Sequence, residues 1–372
     1  MTGTMAPPSD IPAGRRDDDA DDDLGRSQQL RRTAAWLICL TAALVVTVIL
    51  AVGIGAVSIA PATVVDIVGH HLLNRPGQVT WSTAQDSIVW QVRVPRVLLG
   101  VLVGGALAAA GVTLQAMVRN VLADPYLLGV TSGASTGAAG AILFGFGASW
   151  GTNALAFSAF LGAMAASVVV FLIARTGGRV TSVRLLLAGV AVGYALYAAT
   201  SFLIFASDSQ EGARTVLFWL LGSLALASWS TSLAIVAIVV VFTLALLTLW
   251  GRRLDALAIG DETAHTLGIS PTRFRAQLLV LVSLCVGAVV AASGGIGFVG
   301  LVIPHVARRF VGSAHRRVVP VAALIGAIFL LWADVVGRTI LQPRELPIGI
   351  ITALVGAPFL LILVRRFHAA VQ

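Results

Sequence analysis

The sequence predicts an all-α polytopic membrane protein with about ten transmembrane helices, and three observations lead to this fold class. Of the 372 residues, 58% are hydrophobic and 11% are charged, which is far less charge than soluble domains carry. The apolar residues form separate runs of about 20 residues, the length that a bilayer core requires. All 25 basic residues are arginine, and most of them lie on one predicted side of these runs.

The apolar runs define the predicted spans, and the arginines between them orient the spans in the membrane. Both termini are predicted to be cytoplasmic, because most arginines then lie on the cytoplasmic side. The exceptions on the outer side are Arg75, Arg93, Arg96, Arg214, Arg338 and Arg344. The predicted spans are 33–57, 93–115, 126–147, 153–175, 184–206, 231–250, 273–292, 296–312, 317–340 and 347–364.

Polar segments flank this transmembrane domain, which covers residues 33–366. Residues 1–32 contain an acidic run from Asp17 to Asp23 and predict a disordered cytoplasmic tail. Residues 367–372 form a second short cytoplasmic tail.

The composition excludes several classes of function. The net charge of +8 does not predict nucleic-acid binding, because no soluble domain carries a basic face. The absence of lysine excludes both a Walker A phosphate loop and Schiff-base chemistry. Cys39 and Cys285 lie in apolar spans and are interpreted as packing residues rather than as a disulfide or metal ligands. The chain therefore carries no nucleotide-binding motif, and we predict that it is no enzyme and holds no cofactor of its own.

The stretch 93–134 is the centre of the predicted fold. Its first helix carries small residues, which allow another helix to approach closely in a membrane. After a polar elbow, Asp124 and Pro125 predict a helix start with aspartate as N-cap. On the next helix, which is predicted to open at Tyr126, hydroxyl groups indicate a surface that faces other helices or a wet path. The small residues are Gly100, Gly104, Gly105, Ala106, Ala110 and Gly111, and the hydroxyl residues are Thr131, Ser132 and Ser135.

The loops contain further helical patterns. Residues 61–73 predict a short amphipathic helix on the outer surface, and 207–230 contain either a surface helix or the start of the sixth span. In the long cytoplasmic loop 251–272, Gly260 separates two short helices, and Asp261 is predicted to cap the second. Such helices suit docking to a partner, and an ordinary connecting loop is the alternative.

Three features mark the last third of the chain. Residues 295–300 match the GxGxxG pattern, but they lack a strand-turn-helix context and so indicate close packing rather than a dinucleotide site. Pro304 is predicted to interrupt the eighth span. Asp334 and Arg338 stand four residues apart, which predicts an ion pair near the outer end of the ninth span.

Several blocks, in order along residues 33–366, resemble the FecCD-type permeases. These are the membrane subunits of binding-protein-dependent ABC importers for iron-siderophores, haem and vitamin B12. The blocks are RVPRVLLGVLVGGALAAAGVTLQ (93–115), RNVLADPYLLGVTSGAS (119–135), LLLAGVAV (185–192), GIGFVGLVIPHVAR (295–308) and ELPIGIITALVGAPFLLILV (345–364).

The resemblance implies the architecture of a type II ABC importer permease in the cytoplasmic (inner) membrane, surrounded by lipid. It implies a second permease subunit, either an identical copy or a close paralogue, with the translocation path on the dimer axis. It also implies two cytoplasmic ATPase subunits, which would bind ATP-Mg, and an extracytoplasmic substrate-binding protein.

The resemblance also carries roles onto single residues. Arg93, Arg96 and Arg338 match the outer arginines that pair with glutamates of the binding protein; contact with lipid headgroups is the alternative. The cytoplasmic gate falls on Asn120, Val121 and Leu122, where the family usually has Asn-Pro-Leu. The segment that couples to the ATPase comprises Leu257, Gly260, Asp261, Glu262, Ala264, Leu267 and Gly268.

The resemblance therefore implies ATP-driven import of a ferric siderophore by alternating access, through a path that we predict to include Thr131, Ser132 and Ser135. Haem and cobalamin remain open as substrates. An alternative of a different class is an ion-coupled secondary transporter, which needs acidic residues at mid-membrane. The predicted spans contain very few acidic residues at mid-membrane. Asp334 is near an outer end and already has Arg338 as a partner.

Overall fold

A computed structural model describes residues 26–176 and 179–369, and these residues form a helical bundle. A two-residue ladder, β1 (Arg175–Thr176) with β2 (Arg179–Val180), is the β-structure of the described residues. The helices are α1 (Arg26–Gly53), α2 (Pro61–Leu73), α3 (Thr83–Asp86), α4 (Val94–Val118), α5 (Val130–Phe144), α6 (Ala154–Ala174), α7 (Ser182–Phe205), α8 (Gln210–Leu220), α9 (Thr231–Leu249), α10 (Gly251–Ile259), α11 (Asp261–Thr266), α12 (Pro271–Ser293), α13 (Val299–Val311), α14 (His315–Thr339) and α15 (Ile348–Ala369).

Each predicted span corresponds to a helix: α1, α4, α5, α6, α7, α9, α12, α13, α14 and α15. Among the described residues, 7 helical segments are long and apolar enough to cross a membrane, and 130–144 and 348–363 are shorter apolar helices. The longest such segment, Thr83–Val118, joins α3 and α4 through a π-helical turn, Ser87–Arg93. The fold is that of an all-α polytopic membrane protein, as the sequence predicted.

Helix α4 is the core of the bundle, and almost all of its residues are buried. It packs against α9, α12, α13 and α14. The predicted small-residue face makes this possible: a Cβ atom on Gly104 would clash with the Gly326 carbonyl of α14, and one on Gly111 would clash with the Gly300 carbonyl of α13. In lipid, helices associate through such close packing rather than through the hydrophobic effect.

The two ends of the bundle carry different surface helices, and we call them outer and inner after the orientation that the sequence predicts. The outer end carries α2 and α8, and the inner end carries α10 and α11. Helix α2 has the bounds that its sequence pattern predicts, with Pro61 at the first position and Asn74 in the left-handed region at its end. Helix α8 is a separate helix before α9, so the surface-helix interpretation of 207–230 is confirmed and the alternative is wrong.

The structure differs from the sequence predictions in four details, and the span bounds were predicted only to within a few residues. Helix α1 begins at Arg26, seven residues inside the predicted tail, because arginine, glutamine and leucine there propagate the helix; residues 1–25 of that tail lie outside the described residues. The C-terminal tail predicted from 367 is helical to Ala369, and 370–372 lie outside the description. Helix α13 begins at Val299, because Phe298 has a positive φ. It continues through Pro304 without a break.

Candidate functional site

A cluster of charged side chains occupies the outer end, where α4 packs against α14. The Arg96 guanidinium donates to Asp334 through Nε at 3.1 Å and through Nη2 at 2.9 Å. The same group donates to both carboxylate oxygens of Glu345, at 3.0 and 2.9 Å. The predicted pair of Asp334 and Arg338 is also present, with Nε and Oδ2 3.3 Å apart as an ionic contact without hydrogen-bond geometry.

Arg93 and Arg338, the other two predicted docking residues, bind backbone carbonyls at and after the end of α1. Arg93 donates to the carbonyls of Val52, Gly53 and Val57, at 2.8, 3.0 and 2.6 Å, and Arg338 donates to the Ala51 carbonyl. The last carbonyls of a helix lack partners within the helix, and cationic side chains satisfy them well. Arg93 and Arg338 are 6% and 7% exposed. The structure thus brings the three predicted docking residues together but engages all of them within the chain, so docking stays a prediction.

The predicted gate is a tight elbow at the inner end of α4. The helix ends where Arg119 adopts a left-handed conformation with φ 52°. The Asn120 side chain then accepts a hydrogen bond from the Leu122 backbone at 2.9 Å, and the Asn120 carbonyl accepts one from Ala123 at 3.1 Å. This asparagine turn restrains the backbone at Val121, where the related family usually has proline. Val121 itself is exposed.

Asp124 and Pro125 begin a helical segment as predicted, but not α5. Asp124 is the N-cap and accepts from the Tyr126 backbone at 2.9 Å. The segment is one 3₁₀ turn, Pro125–Leu128, which ends at Gly129 with φ 71°. Helix α5 therefore starts at Val130 and not at Tyr126, because the left-handed glycine stops the turn.

A cavity of about 520 Å³ opens beside this elbow. Its wall includes Leu122 of the predicted gate, but Thr131, Ser132 and Ser135 are not part of it. Ser135 donates to the Thr131 carbonyl at 2.9 Å within α5, whereas the buried Thr131 hydroxyl has no partner. Sequence reasoning did not assign most of this wall, although all of its residues except Leu220 and Leu221 lie in the blocks 119–135, 295–308 and 345–364 that carry the family resemblance. The lining residues are Leu122, Asp124, Tyr126, Leu220, Leu221, Gly295, Gly297, Phe298, Leu301, Gly349, Ala353 and Leu360.

A larger groove, of about 780 Å³, lies between α5, α6 and α7. It is lined by Gly133 and Gly137 and by side chains such as Val169 and Ile173, which are exposed on the outside of the bundle. Among the described gate and path residues, none lines this groove. The smaller cavity is the better candidate for the path, because its wall includes Leu122 of the predicted gate.

Gln115 of α4 contacts helix α13, which contributes Leu301 to the cavity wall. Pro304 has no N–H, so it leaves the Gly300 carbonyl without its partner in α13. The Gln115 amide lies 3.4 Å from this carbonyl and from that of Leu301. Its oxygen accepts a hydrogen bond of 2.6 Å from Arg308. One side chain of α4 thus supports the proline-containing α13, a role that sequence reasoning did not assign to it.

The predicted coupling segment forms two short helices, α10 and α11, as expected. Leu257 of α10 and Ala264 of α11 are buried, whereas Glu262 and Leu267 are exposed. Gly268 has φ 75° and follows the last turn of α11. The prediction that Asp261 caps α11 is wrong: Gly260 is the N-cap, and Asp261 is the first helical residue.

The Asp261 carboxylate instead binds Arg275, a residue whose role sequence reasoning missed. The two hydrogen bonds measure 2.6 and 2.9 Å. The Arg275 guanidinium, which is fully buried, also donates to the carbonyls of Met117 and Val180 and to the Ser182 hydroxyl, at 3.3, 3.0 and 3.0 Å. The bonded Arg275 guanidinium holds the pKa of the Asp261 carboxyl below its ordinary value, with a smaller contribution from Arg119.

A polytopic helical bundle with a central small-faced helix, a cavity beside an inner elbow and surface helices at the inner end belongs to the class of membrane permeases. The model of the FecCD transport family matches residues 43–366, and the chain belongs to this family. It is a permease subunit of an ABC importer, and permeases of this kind work with ATPase subunits and a substrate-binding protein.

Curated relatives carry different substrate names. The chain is 41% identical to the hemin transport system permease HmuU of Yersinia pestis, over 77% of this chain and 86% of the relative. It is 40% identical to the vitamin B12 import system permease BtuC of Vibrio cholerae, over 77% and 86%. It is 37% identical to the Fe(3+)-citrate import system permease YfmD of Bacillus subtilis, over 77% and 84%.

A solved inward-facing structure of a proposed metal-chelate type ABC transporter is similar to most of the chain. The TM-score is 0.76 at 33% identity, and the match covers 89% of this chain and 98% of the other. The architecture of an ABC importer permease is therefore confirmed.

Proposed function

We propose that this chain is the permease subunit through which an ATP-driven importer moves a ferric siderophore across the cytoplasmic membrane. The substrate enters from a binding protein at the outer end and leaves at the inner end, where both termini lie. A second permease subunit, identical or paralogous, completes the path, and two ATPase subunits dock at the inner end.

The observation that carries this proposal is the cavity beside the elbow. Its wall combines the gate residue Leu122 with glycines of the segment before α13 and of α15. Small residues leave room for a bulky chelate, and about 520 Å³ in one subunit is within the size range of small-molecule sites. A cavity that ends at a tight elbow supports alternating access, because a shift of the elbow would open or close its inner side.

The coupling role rests on the exposed side chains of α11 and on its connection to the elbow. Leu267 presents an apolar side chain at the inner surface, while Asp261 joins the helix to Arg275. ATP binding by the partner subunits would move α10 and α11, and Arg275 would pass this motion to the end of α4 at Met117. The docking role rests on the outer cluster of Arg93, Arg96 and Arg338.

The siderophore is favoured by the relative named for Fe(3+)-citrate import. Haem and cobalamin stay as competing substrates on the strength of the other relatives. The choice is tested by deleting this gene and restoring it on a plasmid. Growth of the two strains is then compared with ferric hydroxamate or haem as the only iron source, or with cobalamin as the only vitamin source. Rescue by ferric hydroxamate alone is expected; rescue by haem or cobalamin alone would contradict the siderophore.

An ion-coupled secondary transporter is the alternative of a different class. Such a transporter needs a carboxylate that can take up and release a cation within the membrane. Asp334 is buried in α14, but Arg96 and Arg338 already neutralise it. This pairing favours a structural role for Asp334. Asp124, the other buried carboxylate among the described residues, lies at the inner elbow and not at mid-membrane, where it is the N-cap of the turn that begins at Pro125.

A further inference from the structure

The outer cluster consists of three arginines, Arg93, Arg96 and Arg338, and two acids, Asp334 and Glu345. The two acids differ in their exposure to solvent. Among the described residues, the carboxylates of Asp334 and Glu345 pair with Arg96, and Asp334 also pairs with Arg338. The Arg93 guanidinium donates to backbone carbonyls instead. The Asp334 side chain is 4% exposed, whereas the Glu345 side chain is 47% exposed. Glu345 therefore covers Arg96, whose side chain is 11% exposed, from the solvent side.

We infer that Glu345 occupies the position on Arg96 that a carboxylate of the docked binding protein takes, so that docking exchanges one carboxylate for another. The inference rests on the proposed docking role of the outer cluster. Arg96 presents the Nη1 and Nη2 donors side by side to Glu345, at 3.0 and 2.9 Å. This two-pronged geometry fits any carboxylate, whether it comes from this chain or from a partner.

Glu345, and not Asp334, is the group that leaves. Asp334 is fixed within helix α14 and contacts Arg96 and Arg338 at once. Glu345 lies in the connection between α14 and α15, and Arg96 is its ion-pair partner in the described structure. Removing Asp334 would leave the buried Arg338 without its counter-charge, which is costly, whereas a released Glu345 would move into water.

The exchange has a direct route to the transport path. Next to Glu345, the Leu346 backbone donates to the Gly337 carbonyl at 2.8 Å. Three residues later, Gly349 donates to the Leu221 carbonyl at 3.0 Å, and both Gly349 and Leu221 line the cavity. Release of Glu345 would free the start of α15 on the side where the binding protein delivers its substrate. Docking and opening of the outer side are then one event.

The test is the affinity of the permease–ATPase complex, in lipid nanodiscs, for its fluorescently labelled binding protein. Glu345→Gln keeps the shape of the side chain but removes the competing charge. The affinity should rise by about three- to tenfold, the range expected for losing one charge-assisted competitor. Glu211→Gln is the matched control, because it removes an exposed carboxylate from the outer end in α8, away from the cluster. It should leave the affinity unchanged.

A second variant separates exchange from a change in fold. In the Arg96→Gln background, Glu345→Gln should give no gain in affinity, because the shared cation is absent. A Glu345→Gln complex that binds with equal or lower affinity than the wild type would overturn the inference, and so would an equal gain in Glu211→Gln. If the wild-type complex does not bind the protein at all, the proposed docking role fails and the inference fails with it.

Discussion

The carboxylate of Asp261 and the guanidinium of Arg275 form a two-pronged ion pair, with hydrogen bonds of 2.6 and 2.9 Å, that joins the surface helix α11 to the inner end of α4. Arg275 completes this junction through the carbonyl of Met117. A helix of only six residues has little stability of its own. Its position therefore depends on this pair, which connects the proposed ATPase contact to the proposed gate.

The pair predicts a specific pH dependence of stability. Because Arg275 lowers the pKa of Asp261 in the folded state, the pair stabilises the protein at pH values above the ordinary aspartate pKa of about 3.9. This contribution is lost as the pH falls through the lower, folded-state pKa. Thermal unfolding of the purified protein between pH 7 and pH 3 should therefore show a smaller acid-induced loss for Asp261→Asn than for the wild type. Identical pH profiles would show that the pair contributes nothing to stability.

The exposed end of α11 predicts a contact with the ATPase. Leu267 is 64% exposed at the inner end, and Leu267→Asp should weaken the retention of the ATPase on purification by about tenfold, because an apolar anchor becomes charged. Leu226→Asp is the control, since Leu226 is also an exposed leucine but lies between α8 and α9 at the outer end. Retention of the ATPase by Leu267→Asp at the level of the control would exclude docking at this residue.

Close packing of α4 on α14 predicts the effect of a single methyl group. Gly104→Ala places a Cβ atom against the Gly326 backbone, which cannot give way as a side chain would. We expect a loss of about 1–3 kcal/mol, measured as a lower thermal unfolding temperature in detergent. Gly77→Ala is the matched control, because a Cβ atom there meets nothing within 4 Å. Equal stability of the two variants would contradict the packing described for the core.

Sequence reasoning identified the features that depend on local patterns. The bounds of α2, the cap at Asp124, the small face of α4 and the break at Gly260 all follow from residues close together in the chain. The sequence also predicted the pair of Asp334 and Arg338, because they stand four apart on one helix.

The partners that come from distant segments could not be predicted. Arg96 meets Glu345 only because α4 packs beside α14 and the connection after it turns back. In the sequence, Arg275 is one of many arginines on the predicted cytoplasmic side. Its pairing with Asp261 depends on the packing of α11 against α12. The family resemblance indicated where Arg93, Arg96 and Arg338 lie, but no local pattern shows that their donors are already used within the chain.

Uptake by reconstituted vesicles tests the central claim most directly. Vesicles would contain the permease and its ATPase, with ATP inside them and the binding protein loaded with radiolabelled ferric siderophore outside, so that the membrane is oriented as proposed. The account predicts accumulation that requires both ATP and the binding protein and that is unaffected when an ionophore collapses the proton gradient. Accumulation driven by a proton gradient alone, without ATP, would contradict the account and favour a secondary transporter.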